Sequence, residues 1–148
     1  MKFSFFKPKP PHRRNKVLFV DADGAALSVM ACAFAKAAAP KVEVAAAGLH
    51  PMALRPETVK ILAEKNLTGL AGVLSVSELL YTGFDTVITI GAAAATHCPN
   101  FGPAVDRLHW GVDDPVEKGG SEEEVQGAYR KTRDDLEKRV KVFFGQMK

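Results

Sequence analysis

Short apolar runs alternate along the chain with longer stretches that carry helix signals. The runs at 16–20, 42–47 and 86–90 are rich in apolar residues, and turn-forming residues follow them. Continuous apolar runs of this length are typical of strands that are buried on both faces of a parallel sheet. We therefore predict a strand at each of these places, and a shorter fourth strand at 108–110.

The intervening segments predict helices. Ser28 has the character of an N-cap, and the helix that follows it ends at Pro40. A second helix begins at 55–57, where proline occupies the first turn, and ends near Asn66. The segment 75–80 predicts a single helical turn.

The last helix has the clearest start signal in the chain. Ser121 and Glu124 are three residues apart, which is the spacing of a capping box. Apolar residues recur after them at helical spacing as far as Phe144. We therefore predict one long C-terminal helix from this cap to about residue 144.

Strands and helices that alternate over short connections predict a single α/β domain with three layers, in which a parallel sheet lies between helices. Ligands bind to such sheets beyond the carboxyl ends of the strands. We therefore expect any functional site in the loops at 21–27, 91–98 and 111–115.

The composition agrees with one soluble domain. The chain has 148 residues, of which 47% are hydrophobic and 25% are charged. No stretch approaches the roughly 20 apolar residues of a membrane helix. Cys32 and Cys98 are too few cysteines for a disulfide scaffold, and no secretory signal is evident. We therefore expect a cytoplasmic protein without a membrane partner.

The net charge of +3 is unevenly distributed. The first 16 residues contain six of the 20 basic residues and none of the 17 acidic ones, so the remainder of the chain has a net charge of −3. The first 15 residues also contain three Phe and three Pro, a composition that does not keep a regular helix. We interpret 1–15 as a basic tail and 16–148 as the domain, and we do not expect nucleic acid as a partner.

Several motifs occur in an order and spacing that resemble one known family. They are KVLFV with the loop that follows it, SVMA, AAAGLHP, TVITI, THCPNF and HWGVDDP. Over residues 16–144 the chain resembles the thioredoxin-coupled arsenate reductases, which belong to the low-molecular-weight tyrosine phosphatase superfamily. The resemblance implies a four-stranded parallel sheet in the order 2-1-3-4 with helices on both sides.

The chemistry of that family depends on a Cys-x5-Arg loop between the first strand and the first helix. A thiolate attacks the oxyanion, backbone N–H groups and the helix N-terminus surround its oxygens, and the arginine binds them through two parallel hydrogen bonds. An aspartate before a proline protonates the leaving group. The reductases add two cysteines that carry the oxidation away as a disulfide.

The resemblance implies a role for each matching position of this chain. Asp21 stands at the nucleophile position, Asp114 at the general-acid position and Cys98 at the position of the second relay cysteine. Leu27 stands at the arginine position and Gly91 at that of the first relay cysteine. The loop that would bind the anion consists of Asp23, Gly24, Ala25, Ala26, Leu27 and Ser28.

These replacements predict that the reaction of the family is absent. The Asp21 carboxylate cannot form a thiol intermediate, Leu27 provides no cation, and Asp23 adds a negative charge. Two unit charges about 4 Å apart interact by roughly 4 kcal/mol near a protein surface, so exchanging attraction for repulsion weakens oxyanion binding by orders of magnitude. The sequence thus predicts a pseudoenzyme that binds an unidentified protein or small molecule and does not couple to thioredoxin.

A second interpretation keeps the chain an active enzyme. The residues DADG at 21–24 follow a hydrophobic strand, as does the Asp-x-Asp-Gly motif of the haloacid-dehalogenase phosphatases, in which the first aspartate attacks phosphate and Mg²⁺ neutralises the site.

A site for a divalent cation is a related hypothesis. Closure of the loop that carries Asp113 and Asp114 over the first loop would join these two residues with Asp21 and Asp23 in such a site. The alternative is four separate aspartates near helix N-termini and no cofactor.

Overall fold

A sheet of five parallel strands forms the centre of the described part of the chain, in the order β3-β2-β1-β4-β5. The computed structural model describes residues 15–70, 72 and 74–145. The predicted tail, 1–15, lies outside the described residues except for Asn15. The strands are β1 (Lys16–Asp21), β2 (Glu43–Gly48), β3 (Leu74–Ser75), β4 (Thr86–Ile90) and β5 (Asp106–Trp110).

Helices connect the strands and cover the sheet. No helix in the described part of the chain is long and apolar enough to cross a membrane. The described α-helices are α1 (Leu27–Ala38), α2 (Pro56–Ala63), α3 (Ala92–His97) and α4 (Glu122–Gly145), and 3₁₀ turns lie at Val76–Leu79 and Pro115–Glu117.

Alternate residues of β1 belong to hydrophobic cores on opposite faces of the sheet. Val17 and Phe19 pack in the core that contains residues of α1, α2 and α4. Leu18 and Val20 pack in the other core, which contains residues of α3 and of the first 3₁₀ turn. The predicted three-layer α/β/α architecture is therefore confirmed, and β1 lies at its centre.

The predicted strand order is confirmed, and a fifth strand is added at one edge. The order β2-β1-β4-β5 corresponds to the predicted 2-1-3-4. The additional strand, β3, has two residues and pairs with Ala47 and Gly48. A strand this short has no apolar period that a sequence pattern can reveal, so it was missed.

Helix α3 occupies most of the segment 91–98, which the sequence predicted to be a loop. It begins after Gly91, whose φ of 90° is in the region that favours glycine. Four consecutive alanines follow, and alanine has the highest helix propensity of all residues. The helix has six residues, and this length is too short for the apolar periodicity on which the prediction relied.

The C-terminal helix begins as predicted. The Ser121 amide donates to Glu124 Oε1 at 3.1 Å, and the Glu124 amide donates to Ser121 Oγ at 3.2 Å, which completes the capping box. Farther along α4, the buried Arg133 donates to the carbonyl oxygen of Ile61 and to Glu64. These bonds join α4 to α2 on one face of the sheet.

Candidate functional site

The loop at 22–26 connects β1 to α1 at the carboxyl edge of the sheet. Its backbone is fixed from one side, because the carbonyl oxygens of residues 21–23 accept hydrogen bonds from amides in the segment 49–52. Thr58 of α2 also donates its hydroxyl to the carbonyl oxygen of Ala25 at 3.0 Å. The loop is therefore held by the ends of β1 and β2 and by the start of α2.

A crevice of about 180 Å³ opens beside this loop. All three loops that the sequence predicted to carry a site contribute to its walls. Its charged lining residues are Asp113, Asp114 and Glu117, and the described residues that line it include no basic side chain. The full lining consists of Ala22, Leu27, Ile90, Gly91, Ala92, Ala93, Val112, Asp113, Asp114 and Glu117.

Asp21, at the end of β1, turns its side chain into its own loop. The residue is 2% exposed. Its carboxylate accepts hydrogen bonds from the Gly24 amide at 2.6 Å and from the Ser28 amide at 3.1 Å. The Ser28 hydroxyl donates to the same carboxylate at 2.9 Å. Both carboxylate oxygens are thus engaged by donors of the loop and of the first turn of α1.

Ser28 does not have the predicted role of N-cap. Helix α1 begins at Leu27, and its N-cap residue, Ala26, has no side chain that can accept a hydrogen bond. The Asp21 carboxylate instead accepts the Ser28 amide, and therefore caps α1 from the preceding strand. The local pattern around Ser28 does not contain this partner, which is seven residues away in sequence.

Burial has the largest effect on the acidity of Asp21. It raises the pKa of Asp21 from 3.8 to about 6, and the negative charge of Asp23 acts in the same direction. The hydrogen bonds from Ser28 and Gly24 oppose this change, because they stabilise the ionised form. Asp21 is therefore mostly ionised at neutral pH and takes up a proton in mildly acidic solution.

We expect Asp21 to make the free energy of unfolding fall as the pH rises from about 4 to about 7, by up to about 3 kcal/mol. The pKa of Asp21 is about 6 in the folded chain, above the ordinary value of 3.8. The folded state therefore binds the proton more tightly than the unfolded state, and it loses this advantage as the pH rises. Urea denaturation at a series of pH values measures this effect. Asp21→Asn is the control, since it lacks the titrating group, and parallel curves for the two proteins would contradict the prediction.

Arg55 is a charged neighbour of the loop that the sequence analysis missed. Its Nη2 lies 3.9 Å from Oδ2 of Asp23, whose other oxygen accepts the Ala25 amide. Its Nε is buried without a hydrogen-bond partner in the described part of the chain. The sequence showed Arg55 only as part of the helix start at 55–57, and no local signal indicates that it reaches a loop about 30 positions earlier.

Asp114 is half-buried in the crevice, and its neighbour Asp113 is exposed. Burial is the main cause that raises the pKa of Asp114, and the charges of Asp23 and Glu117 raise it further. The hydrogen bond from the Val116 amide, at 2.9 Å, lowers it. The segment that follows β5 thus carries a carboxyl group that retains its proton to a higher pH than usual.

The four aspartates of the predicted metal site are not arranged as one ligand cluster. No group of three or more His, Cys, Asp or Glu side chains in the described ranges could hold a metal ion. Asp21 uses its carboxylate oxygens on Gly24 and Ser28, as described above. The predicted cluster of Asp21, Asp23, Asp113 and Asp114 is therefore not formed.

The model of the family described as "Low molecular weight phosphotyrosine protein phosphatase" matches residues 16–148. The chain belongs to this family.

Relatives of this phosphatase family member include several bacterial arsenate reductases. The chain is 34% identical over 102 residues to an arsenate reductase of Bacillus licheniformis, a match that covers 68% of this chain and 73% of the relative. The solved structure of an arsenate reductase from Archaeoglobus fulgidus is 27% identical, with a TM-score of 0.72, and the match covers 87% of this chain and 98% of that one. A structure described as the YwlE arginine phosphatase is 26% identical, with a TM-score of 0.69, and the match covers 89% and 95%.

The two cysteines of this family member are both free, and they lie on opposite faces of the sheet. Cys98 follows α3, and burial raises the pKa of its thiol, although the charge of Arg107 lowers it. Gly91, at the other end of α3, is the position that the resemblance assigns to a first relay cysteine. Cys98 therefore has no second thiol beside it in the described structure.

Proposed function

We propose that this chain is a non-catalytic member of the family that acts as a binding or regulatory module. The observation that carries the proposal is the Asp21 carboxylate, which accepts hydrogen bonds from Gly24 and from both donors of Ser28. Donors at a helix N-terminus normally attract an external anion. In this chain an internal carboxylate already engages them, so an arriving phosphate or arsenate ion would have to compete with Asp21.

The charges around the loop also oppose an oxyanion. The crevice is lined by three carboxylates, and Leu27 lies where the resemblance places the arginine of the family. Like charges about 4 Å apart repel by roughly 4 kcal/mol near a protein surface. Arg55 is the nearby cation, and it lies beside Asp23. We infer that the crevice favours a neutral or cationic group of a ligand over phosphate or arsenate.

We infer that this chain lacks the thiols that the redox steps of a reductase require. A relay disulfide requires two thiols that meet, whereas Cys98 and Cys32 pack in different cores. The oxygen of Asp21 does not replace a thiol, because a pair of thiols supplies the two electrons of arsenate reduction by forming a disulfide, and a carboxylate has no such oxidation. The proposal therefore includes no coupling to thioredoxin.

Two enzyme assays test this proposal. The first is hydrolysis of p-nitrophenyl phosphate with and without Mg²⁺. The second is thioredoxin-coupled reduction of arsenate, for which the arsenate reductase of Bacillus licheniformis is the positive control. We expect no turnover above the buffer rate in either assay. Millimolar phosphate or arsenate should also leave the thermal midpoint of unfolding unchanged, since no ion binds.

Variants identify the cause of any activity that is found. Hydrolysis that requires Mg²⁺, disappears in Asp21→Asn and persists in Glu117→Gln would overturn the proposal in favour of an aspartate nucleophile with a divalent metal. Glu117 is the matched control because it lines the same crevice, is exposed, and does not belong to the predicted cation site. Arsenate reduction that disappears in Cys98→Ser would overturn the proposal in favour of a surviving thiol reaction.

A further inference from the structure

A pocket of about 310 Å³ lies between α1 and the segment that follows α2. It shares no lining residue with the crevice beside the Asp21 loop. One wall is a stripe of α1 at helical spacing, Ala46 of β2 contributes from the sheet, and residues 66–70 form the opposite wall. The stripe consists of Val29, Cys32, Ala33, Lys36 and Ala37.

Buried core residues and a hydrogen-bonded turn form the walls of this pocket. Val29, Cys32 and Ala46 are each 2% exposed and belong to the main core. The opposite wall begins at a turn in which the amides of Asn66 and Leu67 donate to carbonyl groups at the end of α2. The pocket exists because alanines line positions where a larger side chain would fill the space.

The interior of the pocket and its mouth differ in polarity. The buried interior is formed by apolar side chains and the Cys32 thiol. The exposed polar residues of the lining are Lys36, Asn66 and Thr68, all of which can donate hydrogen bonds, and the lining includes no carboxylate among the described residues.

The charge of Lys36 acts on the buried part of the pocket. Burial raises the pKa of the Cys32 thiol to about 11, and the Lys36 ammonium group lowers it. A negative charge at the mouth would therefore experience the same ammonium group, and none of the described lining residues is an acid that competes for it.

We propose that this pocket binds a small amphiphilic carboxylate, whose apolar chain occupies the interior and whose carboxylate meets Lys36 at the mouth. Ligand pockets have volumes of roughly 300–1,000 Å³, and this one is at the small end of that range. Burial of the apolar chain displaces water from apolar walls, which provides the affinity, while Lys36 provides selectivity for an anion. The proposal goes beyond the proposed function and does not depend on the state of the Asp21 loop.

Octanoate, 1-octanol and octylamine are suitable probes, because they share a chain length and differ in the charge of the head group. Each is added to a Cys98→Ser protein, in which Cys32 is the remaining cysteine, and the rate of alkylation of Cys32 by N-ethylmaleimide is measured. We expect octanoate to slow the reaction. Octanol should bind about fivefold more weakly, which is the effect of one exposed ion pair, and octylamine should bind more weakly still.

Matched variants locate the binding site. Lys36→Gln should reduce octanoate binding to the level of octanol, whereas Lys60→Gln, which changes a lysine in the last turn of α2, should not. Ala33→Leu should fill the pocket and abolish binding of all three probes. Ala37→Leu, at an exposed position of the same wall, provides the same test if Ala33→Leu does not fold.

Nuclear magnetic resonance shift mapping separates a local effect from a general change in stability. We expect octanoate to shift amide resonances of α1 and of residues 66–70. Absence of protection by octanoate at millimolar concentration would overturn the proposal. Equal protection by octanoate and octylamine, or octanoate binding that persists in Ala33→Leu and Ala37→Leu, would also overturn it.

Discussion

Replacing Asp21 with cysteine and Leu27 with arginine in the same chain is expected to raise the affinity for phosphate well above that of the unaltered protein. The first change removes the internal carboxylate and leaves the Gly24 and Ser28 amides available to an external anion. The second provides a cation that can bind two oxygens at once. Together they exchange repulsion for attraction, and a difference of about 4 kcal/mol corresponds to roughly a thousandfold change in affinity.

The gain will be smaller than this, because the new arginine would enter a crevice that already contains carboxylates. Leu27 lines that crevice together with Asp113, Asp114 and Glu117, and these groups would pair with the guanidinium in part. We therefore expect an increase in affinity of at least about a hundredfold, measured by calorimetric titration with phosphate. Each single replacement should raise the affinity for phosphate by less than the pair does, because removal of the carboxylate and addition of the guanidinium act on the same anion.

A third protein separates binding from catalysis. Asp21→Ser with Leu27→Arg also removes the carboxylate and adds the cation, but it provides no thiolate. It should bind phosphate about as well as the cysteine pair and should not hydrolyse p-nitrophenyl phosphate. If the unaltered chain binds phosphate as tightly as either double variant does, the Asp21 carboxylate does not keep phosphate from the donors of the loop.

Gly48→Ala is expected to lower the free energy of unfolding by about 3 kcal/mol, because the added methyl group has no space. Gly48 ends β2 directly beside the loop. A Cβ atom at this position would lie 2.5 Å from the carbonyl carbon of Asp23 and 2.7 Å from the Gly24 nitrogen. Backbone atoms cannot rotate away as a side chain can, so the loop must move and strain the hydrogen bond from Gly24 to Asp21.

Gly127→Ala is the matched control for this substitution. Gly127 lies within α4, and a Cβ atom there would meet nothing within 4 Å. Alanine favours a helix over glycine by about 1 kcal/mol, so this change should stabilise the protein by up to that amount. Chemical denaturation of both variants measures the two effects, and a cost at Gly48 no larger than about 0.5 kcal/mol would contradict the close approach of β2 and the loop.

Much of the fold followed from local sequence signals that tertiary contacts did not override. The apolar run at 86–90 became β4 with the predicted bounds, and Ser121 and Glu124 form the predicted capping box. Both predictions rested on residues that are close together in the sequence, namely a continuous apolar run for the strand and two residues three positions apart for the capping box. The strand β3 and the helix α3 were missed because each is too short for a periodic pattern.

The sequence predicted which loops meet at the carboxyl edge of the sheet, but it did not predict the contacts that their side chains make. Parallel strands bring their carboxyl ends to one edge, and this rule was enough to expect that the loops after β1, β4 and β5 would meet. It does not state which way a side chain turns. The sequence therefore left open whether the four aspartates form one cluster or stay separate, whereas in the structure Asp21 points into its own loop and Asp23 lies beside Arg55.

The sequence by itself determined the chemical inventory of this protein: an aspartate follows the first strand, a leucine stands where the family resemblance places arginine, and neither of the two cysteines lies in the first loop. Only the tertiary structure decided what the aspartate does there. Asp21 is 2% exposed, and its partners are the Gly24 and Ser28 donors. The physical reason is that a buried carboxylate must find donors within the chain, and the first turn of α1 offers amides that no local residue caps.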